Sequence, residues 1–381
     1  LHISYGLLLF ALTLVDDPGV FFWVLLLAMC CYMPTIALNN AISYTILKNN
    51  NFDVVRVFPP IRVFGTVGFI VAMWLTNLTG NKATAYQFYI AGVAAIALGI
   101  MAFGLPKCPP QKNIDPHARW TEQLGLHAFR LFKNYKMALF FIFSMFLGAA
   151  LQLTNAYGDL YLDEFKFFPR FADSVVVKRS TLIMSISQIS ETVFILAIPF
   201  FLNRMGIKKV MLISMLAWVF RFALLGLGDP GTGLWMIIVS CIVYGMAFDF
   251  FNISGSLFVE TSTAPAIRSS AQGLFMMMSN GFGAIIGSYT SGKMIDAYFT
   301  HAFRDEQSLA AYLLTEPGNP HLRELIAERG IHIDANGLFD GIIAMKDWPN
   351  IWYAFAAYAL VIAVLFAVMF RHKHEPRSLS L

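Results

Sequence analysis

Charge is what this sequence has least of: Asp, Glu, Lys and Arg together make up 13% of its 381 residues. Ordinary soluble domains carry about a quarter, so a water-facing globule is excluded. Cysteine is also scarce. The four present do not form a disulfide framework, because Cys30, Cys31 and Cys241 fall in apolar segments and Cys108 stands alone on a loop. The beginning lacks both a basic region and a small-residue cleavage site, so the apolar run after Leu1 is not expected to be a signal peptide. What is abundant is apolar: 57% of residues are hydrophobic and the mean hydropathy is +0.63. The solvent is lipid. Backbone groups in hydrocarbon must be satisfied within the segment or in a closed barrel, and the apolar runs here far exceed barrel strands. The sequence therefore predicts an all-α membrane protein, with membrane lipid around it and no nucleic-acid partner.

Ten apolar segments are predicted, near 1–15, 20–47, 61–78, 86–105, 137–162, 180–202, 210–227, 234–259, 267–298 and 351–370. Asp17-Pro18-Gly19, Pro59-Pro60, Thr79-Gly80-Asn81 and Asp229-Pro230-Gly231 supply turn signals between them. One alternate set of loops holds Lys48, Arg56, Lys107, Lys112, Arg119, Arg130, Lys133, Lys136, Arg204, Lys208, Lys209, Arg268, Arg371, Lys373 and Arg377, whereas the other short loops hold little beyond Lys82. The positive-inside rule places the first set, and the C-terminus, in the cytoplasm. Lys166, Arg170, Lys178 and Arg179 run against that pattern, as does the long outer loop 299–350. The connection 106–135 leaves four segments before it and six after. Transporters of the major facilitator type have two six-helix halves with the substrate site between them, so two further helices are expected ahead of Leu1. The expected organisation is 1–105, the remainder of an N-terminal six-helix bundle; 106–135, a cytoplasmic linker; 136–370, a C-terminal six-helix bundle; and 371–381, a cytoplasmic tail. Within the linker, 117–132 sets Trp120, Leu124, Leu126, Phe129 and Leu131 among charges, which suits a helix lying on the membrane surface.

Asp249 lies between Phe248 and the pair Phe250 and Phe251, inside a membrane-length apolar run. A mid-membrane aspartate costs about 3 kcal/mol by insertion scales and usually faces a proton or substrate path. Arg62, Thr66 and Phe69 recur at i, i+4 and i+7; Gln152 and Asn155 at i and i+3; Gln188 and Glu191 likewise; Tyr244 and Phe248 at i and i+4. Each set occupies one helix face, as a shared hydrophilic cavity requires. Taken singly, the amides equally suit interhelical hydrogen bonds worth about 0.6 kcal/mol each. Arg62 could snorkel to headgroups, Glu191 could serve in structural pairing, and the aromatic residues suit packing. Arg221 is expected to snorkel at an outer helix end. The set as a whole fits a ligand with a planar heterocycle and hydroxyl groups, and a buried Asp249 could couple proton entry to loading.

Other motifs carry less. The run from Gly287 to Met294 imitates a phosphate loop, but Met294 replaces the magnesium-binding hydroxyl and the segment reads as a helix, so ATP binding is rejected. Gly281, Gly283, Gly287 and Gly292 are expected to permit close helix packing. His372 and His374 are weak metal-ligand candidates, and no metal site is assigned.

Four runs carry a resemblance. Tyr32-Met-Pro-Thr-Ile-Ala-Leu-Asn-Asn-Ala-Ile-Ser-Tyr44, Phe58-Pro-Pro-Ile-Arg-Val-Phe-Gly-Thr-Val-Gly-Phe69, Ser185-Ile-Ser-Gln-Ile-Ser-Glu191 and Tyr244-Gly-Met-Ala-Phe-Asp-Phe-Phe-Asn-Ile-Ser-Gly-Ser256 closely resemble bacterial permeases of the nucleoside:proton symporter family, within the major facilitator superfamily. The resemblance covers nearly the whole chain. It implies proton-driven uptake of purine and pyrimidine nucleosides across the bacterial inner membrane by a monomer, with no cofactor beyond the coupling proton. By position it casts Arg62, Thr66, Phe69, Gln152, Asn155, Gln188, Glu191, Tyr244 and Phe248 as the substrate site, and Asp249 as the coupling acid. It implies ten of twelve family helices in this sequence, with an outer loop 299–350 that is longer than usual and contains a charged helical stretch at 319–329. A carrier for a sugar or free nucleobase, a membrane enzyme and a non-transporting receptor remain the competing readings.

Overall fold

The structure is a computed structural model and describes residues 1–52, 54–81, 84–106, 126–264 and 267–371. Most of the expected linker, including Trp120 and Leu124, and most of the tail, with His372 and His374, lie outside the described residues. The described end of the linker, Leu126–Lys133, is a 3-10 helix. The chain divides into two compact units, Leu1–Asp115 and Pro116–Leu381.

The first unit contains α1 (His2–Leu12), α2 (Pro18–Asn49), α3 (Val54–Leu78) and α4 (Tyr86–Met101). The Asp17 carboxylate accepts the Val20 N–H at 2.8 Å, satisfying one of the donors left over where α2 begins. α3 runs through Pro59-Pro60, which the sequence reads as a turn. Pro59 and Pro60 are the sixth and seventh residues of α3, past the first four whose N–H groups have no helical partner, so each forfeits one intrahelical hydrogen bond.

In the second unit, Asn134 caps α5 (Tyr135–Glu164) by accepting from the N–H groups of Lys136 and Met137. The next stretch, α6 (Ser180–Leu227), is 48 residues long, about twice what a bilayer needs. It breaks at Gly206, where φ is 76° and ψ 164°, so 180–205 and 207–227 are separate rods. The remaining long helices are α7 (Leu234–Ser262), α8 (Arg268–Met276) joined through a π-helical turn, Met277–Gly283, to α9 (Ala284–Tyr298), and finally α12 (Trp348–Met369). Gly148 on α5 touches the Ser279 carbonyl so closely that a Cβ there would lie 1.9 Å from the oxygen. Gly283 and Gly287 meet α5 backbone in the same way, as expected, whereas Gly281 and Gly292 meet nothing closer than 3.7 Å and 3.9 Å and are not packing contacts.

Among the described residues, seven helices are long and apolar enough to cross a membrane. The sequence-based total of ten is finer than this. α1 has only 11 residues, α6 is one stretch until its break is considered, and the run from α8 to α9 is divided by the π turn.

The long loop 299–350 corrects the purely helical expectation. It contains β1 (Thr300–Asp305), α10 (Glu306–Tyr312), α11 (Pro320–Glu328) and β2 (Leu338–Lys346), with β1 and β2 antiparallel. Its own small core joins Leu309, Leu313, Leu322, Ile326, Ile343 and Met345 to Phe167 at the end of the preceding loop segment. Below it, the buried Glu164 carboxylate accepts from Trp348 Nε1 at 2.8 Å and Lys346 Nζ at 3.3 Å, fixing the end of α5 to the start of α12. The helical stretch expected at 319–329 is α11, capped by Asn319.

Candidate functional site

The site of the second unit is built on α7. Gly245 is the reason two helices meet there. A Cβ at this position would lie 2.6 Å from the backbone of Ser190 and Glu191, so only a hydrogen lets α7 come this close to 180–205. The Ser190 hydroxyl donates to the Ile242 carbonyl across the same seam. This contact sets Glu191, itself buried, within electrostatic range of Tyr244, with Gln188 near the same hydroxyl.

Tyr244 and Phe248 are one turn apart, and their rings stack at 6.0 Å with 12° between planes. Trp218 meets Tyr244 edge-on at 5.9 Å. Behind it, the Arg221 guanidinium sits 4.7 Å from the Tyr244 ring centroid, and Nη1 donates to the Ser240 carbonyl at 2.7 Å. Arg221 is completely buried, which corrects the expectation that it snorkels. Its charge is accommodated by a cation–π contact, which strengthens when desolvated.

Asp249 is 1% exposed and lies near enough to interact electrostatically with Tyr244. Its sequence neighbours are fixed in opposite packings. Phe250 contacts Phe194 and Phe201 of 180–205, while Phe251 contacts Phe140 of α5 and Phe275 of α8. The carboxylate is thus held on a rigid helix between two aromatic clusters. Gln188, Glu191, Tyr244, Phe248 and Asp249 form one constellation, with Arg221 and Trp218 behind it.

A cleft opens beside Phe248, lined on α5 by Ser144, Leu147, Gly148 and Leu151. Gln152 is one turn beyond Gly148, and Asn155 one turn beyond Leu151, so both continue the stripe of α5 that faces the cleft. Gln152 is half-buried and Asn155 exposed. The cleft also brings in Asn252, Ser279 and Asn280, which the sequence reading missed. Asn252 was detectable at i+4 from Phe248. The other two sit in the π turn, whose altered phase defeats a 3.6-residue periodicity.

The remaining three sequence-derived positions belong to the first unit. On α3, Thr66 is buried, Arg62 is half-buried and Phe69 is 54% exposed. The phosphate-loop imitation at 287–294 lies wholly inside α9, so its glycines form no loop around a phosphate.

Comparison with known proteins follows the same outline. A family model described as nucleoside H+ symporter matches residues 1–315. Nucleoside permease NupG of Escherichia coli (strain K12) is 45% identical over 374 residues, covering 98% of this chain and 79% of that protein. Xanthosine permease of the same organism is 45% identical over 380 residues, covering 100% of this chain and 81% of that protein. The crystal structure of nucleoside transporter NupG superposes with a TM-score of 0.73 at 45% identity, covering 98% of this chain and 82% of that chain.

Proposed function

Because this chain belongs to the nucleoside H+ symporter family, we propose that it is a multi-pass membrane transporter, not an enzyme, and that it carries nucleosides inward together with protons. The observation that carries this reading is the buried Asp249 carboxylate, placed on the same helix as the Tyr244–Phe248 aromatic stack and within electrostatic range of Tyr244. A ring stacked on Phe248 would have its plane fixed, and Gln188 and Glu191 supply acceptors and a donor for ribose hydroxyls or ring nitrogens. Gln152 and Asn155 add amides along α5. Arg62, Thr66 and Phe69 enter the proposal from the family resemblance. Asp249 takes up the proton on the outer side and releases it on the inner side, with no cofactor beyond that ion.

We further propose that ten segments cross the membrane, α6 counting twice across Gly206. The protein works as a monomer in the bacterial inner membrane, with its C-terminus in the cytoplasm, supported by the basic residues of one loop set. A competition series tests the substrate class: unlabelled nucleosides should displace labelled uridine uptake, while free nucleobases and simple sugars should not. Stronger competition by bases or sugars would replace the nucleoside reading with another polar ring. Ligand recovered chemically altered would indicate an enzyme, and binding without accumulation would indicate a receptor.

A further inference from the structure

The cleft beside Phe248 holds four polar side chains besides the constellation described above, and two of them are already committed. Ser144 donates to the Phe140 carbonyl at 2.7 Å, and Ser279 donates to the Phe275 carbonyl at 3.0 Å, each within its own helix. The other two are amides. Asn252 projects one turn beyond Phe248 on α7, and among the described residues its side chain takes no hydrogen bond. Asn280 directs Nδ2 toward the Met276 sulfur at 3.6 Å, a weak acceptor, which leaves its Oδ1 available.

The two amides come from different elements, and the second is placed by an irregularity. Asn280 lies in the π turn Met277–Gly283, where one extra residue per turn shifts side chains off the regular helical face. That turn is pressed against α5 through Gly148, whose missing side chain admits the Ser279 carbonyl. A π turn buttressed in this way is a rigid mount. One cleft therefore contains a flat aromatic face, Phe248, and two amides with donor and acceptor capacity to spare.

We propose that Asn252 and Asn280 are specificity-determining residues that hydrogen-bond the donor–acceptor edge of a nucleobase whose ring lies on Phe248. The inference rests on the nucleoside reading and deepens it. An amide offers a donor beside an acceptor, the pattern that a pyrimidine imide edge, N–H flanked by C=O, complements. Sites built to hydrogen-bond a substrate N–H discriminate strongly against analogues lacking it, because their polar groups are left unpaired.

The test compares uptake of uridine and 3-methyluridine, in which a methyl group replaces the ring N–H hydrogen, by the wild-type protein and by Asn252→Ala and Asn280→Ala. The wild type should prefer uridine by about tenfold or more in kcat/KM. Each variant should lose about tenfold on uridine while retaining its rate on 3-methyluridine, so the preference collapses. A structural role would slow both substrates alike in the variants, and that result overturns the proposal. Equal uptake of the two by the wild type overturns it as well, while leaving nucleoside transport intact. Failure of folded wild type to take up either nucleoside would defeat the parent reading instead, and this inference with it.

Discussion

Gly245 determines how near Glu191 comes to Tyr244. Its replacement by Ala would press a methyl group into the Ser190 and Glu191 backbone, where no flexible side chain can yield. G245A is expected to cost about 1 to 3 kcal/mol, the usual range for overpacking, and to lower thermal stability in detergent together with uridine affinity. Asp249 plays a different part. D249N should keep nucleoside binding and lose accumulation driven by a proton gradient, measured as binding and uptake on the same preparation; normal gradient-driven accumulation would remove its coupling role. Asp249 was legible from sequence because a lone carboxylate in a long apolar run has few explanations. Arg221 was misread for a related reason. Sequence position shows distance from a helix end but not which face the side chain leaves from, and this guanidinium turns inward onto Tyr244.

At the scale of elements, breaks matter more than helices. Gly206 has a backbone conformation open essentially to glycine alone. G206A should therefore destabilise the second unit by about 1 to 3 kcal/mol, seen as a lower unfolding temperature. The sequence revealed two apolar runs here with basic residues between them, so both rods were readable although the sharp bend was not. The long loop 299–350 was less legible. Its α11 was readable as a charged helical stretch at 319–329, but β2 passed unnoticed although Phe339, Gly341, Ile343 and Met345 alternate inward. A single strand shows its partner only in three dimensions. This loop also has a pH limit. Arg323 donates to both oxygens of Glu306 at 2.8 Å and holds its carboxyl below the ordinary carboxylate range. A depressed value means stability that is complete above the unfolded value and lost as pH falls through the folded one. Protection against hydrogen exchange in 306–345, taken relative to the intrinsic rate at each pH, should fall as pH drops below that range, with the amide-bearing variant E306Q already weakly protected at neutral pH and insensitive to that drop.

For the whole molecule, composition alone decided the solvent, since 13% charge and 57% hydrophobic residues cannot face water on all sides. The family was readable in four long ungapped runs. The residues that give the site its chemistry, a buried acid, an aromatic stack and amides on three helices, contribute only when helices pack, and periodicity could order them within a helix but not between helices. Coupling is a property of the complete protein. Uptake of labelled uridine by the purified protein in proteoliposomes, with and without an inward proton gradient, tests it most directly. Accumulation above the external concentration only when the gradient is imposed is the predicted result. Equilibration that ignores the gradient would contradict it, leaving a facilitator in which Asp249 is a structural acid.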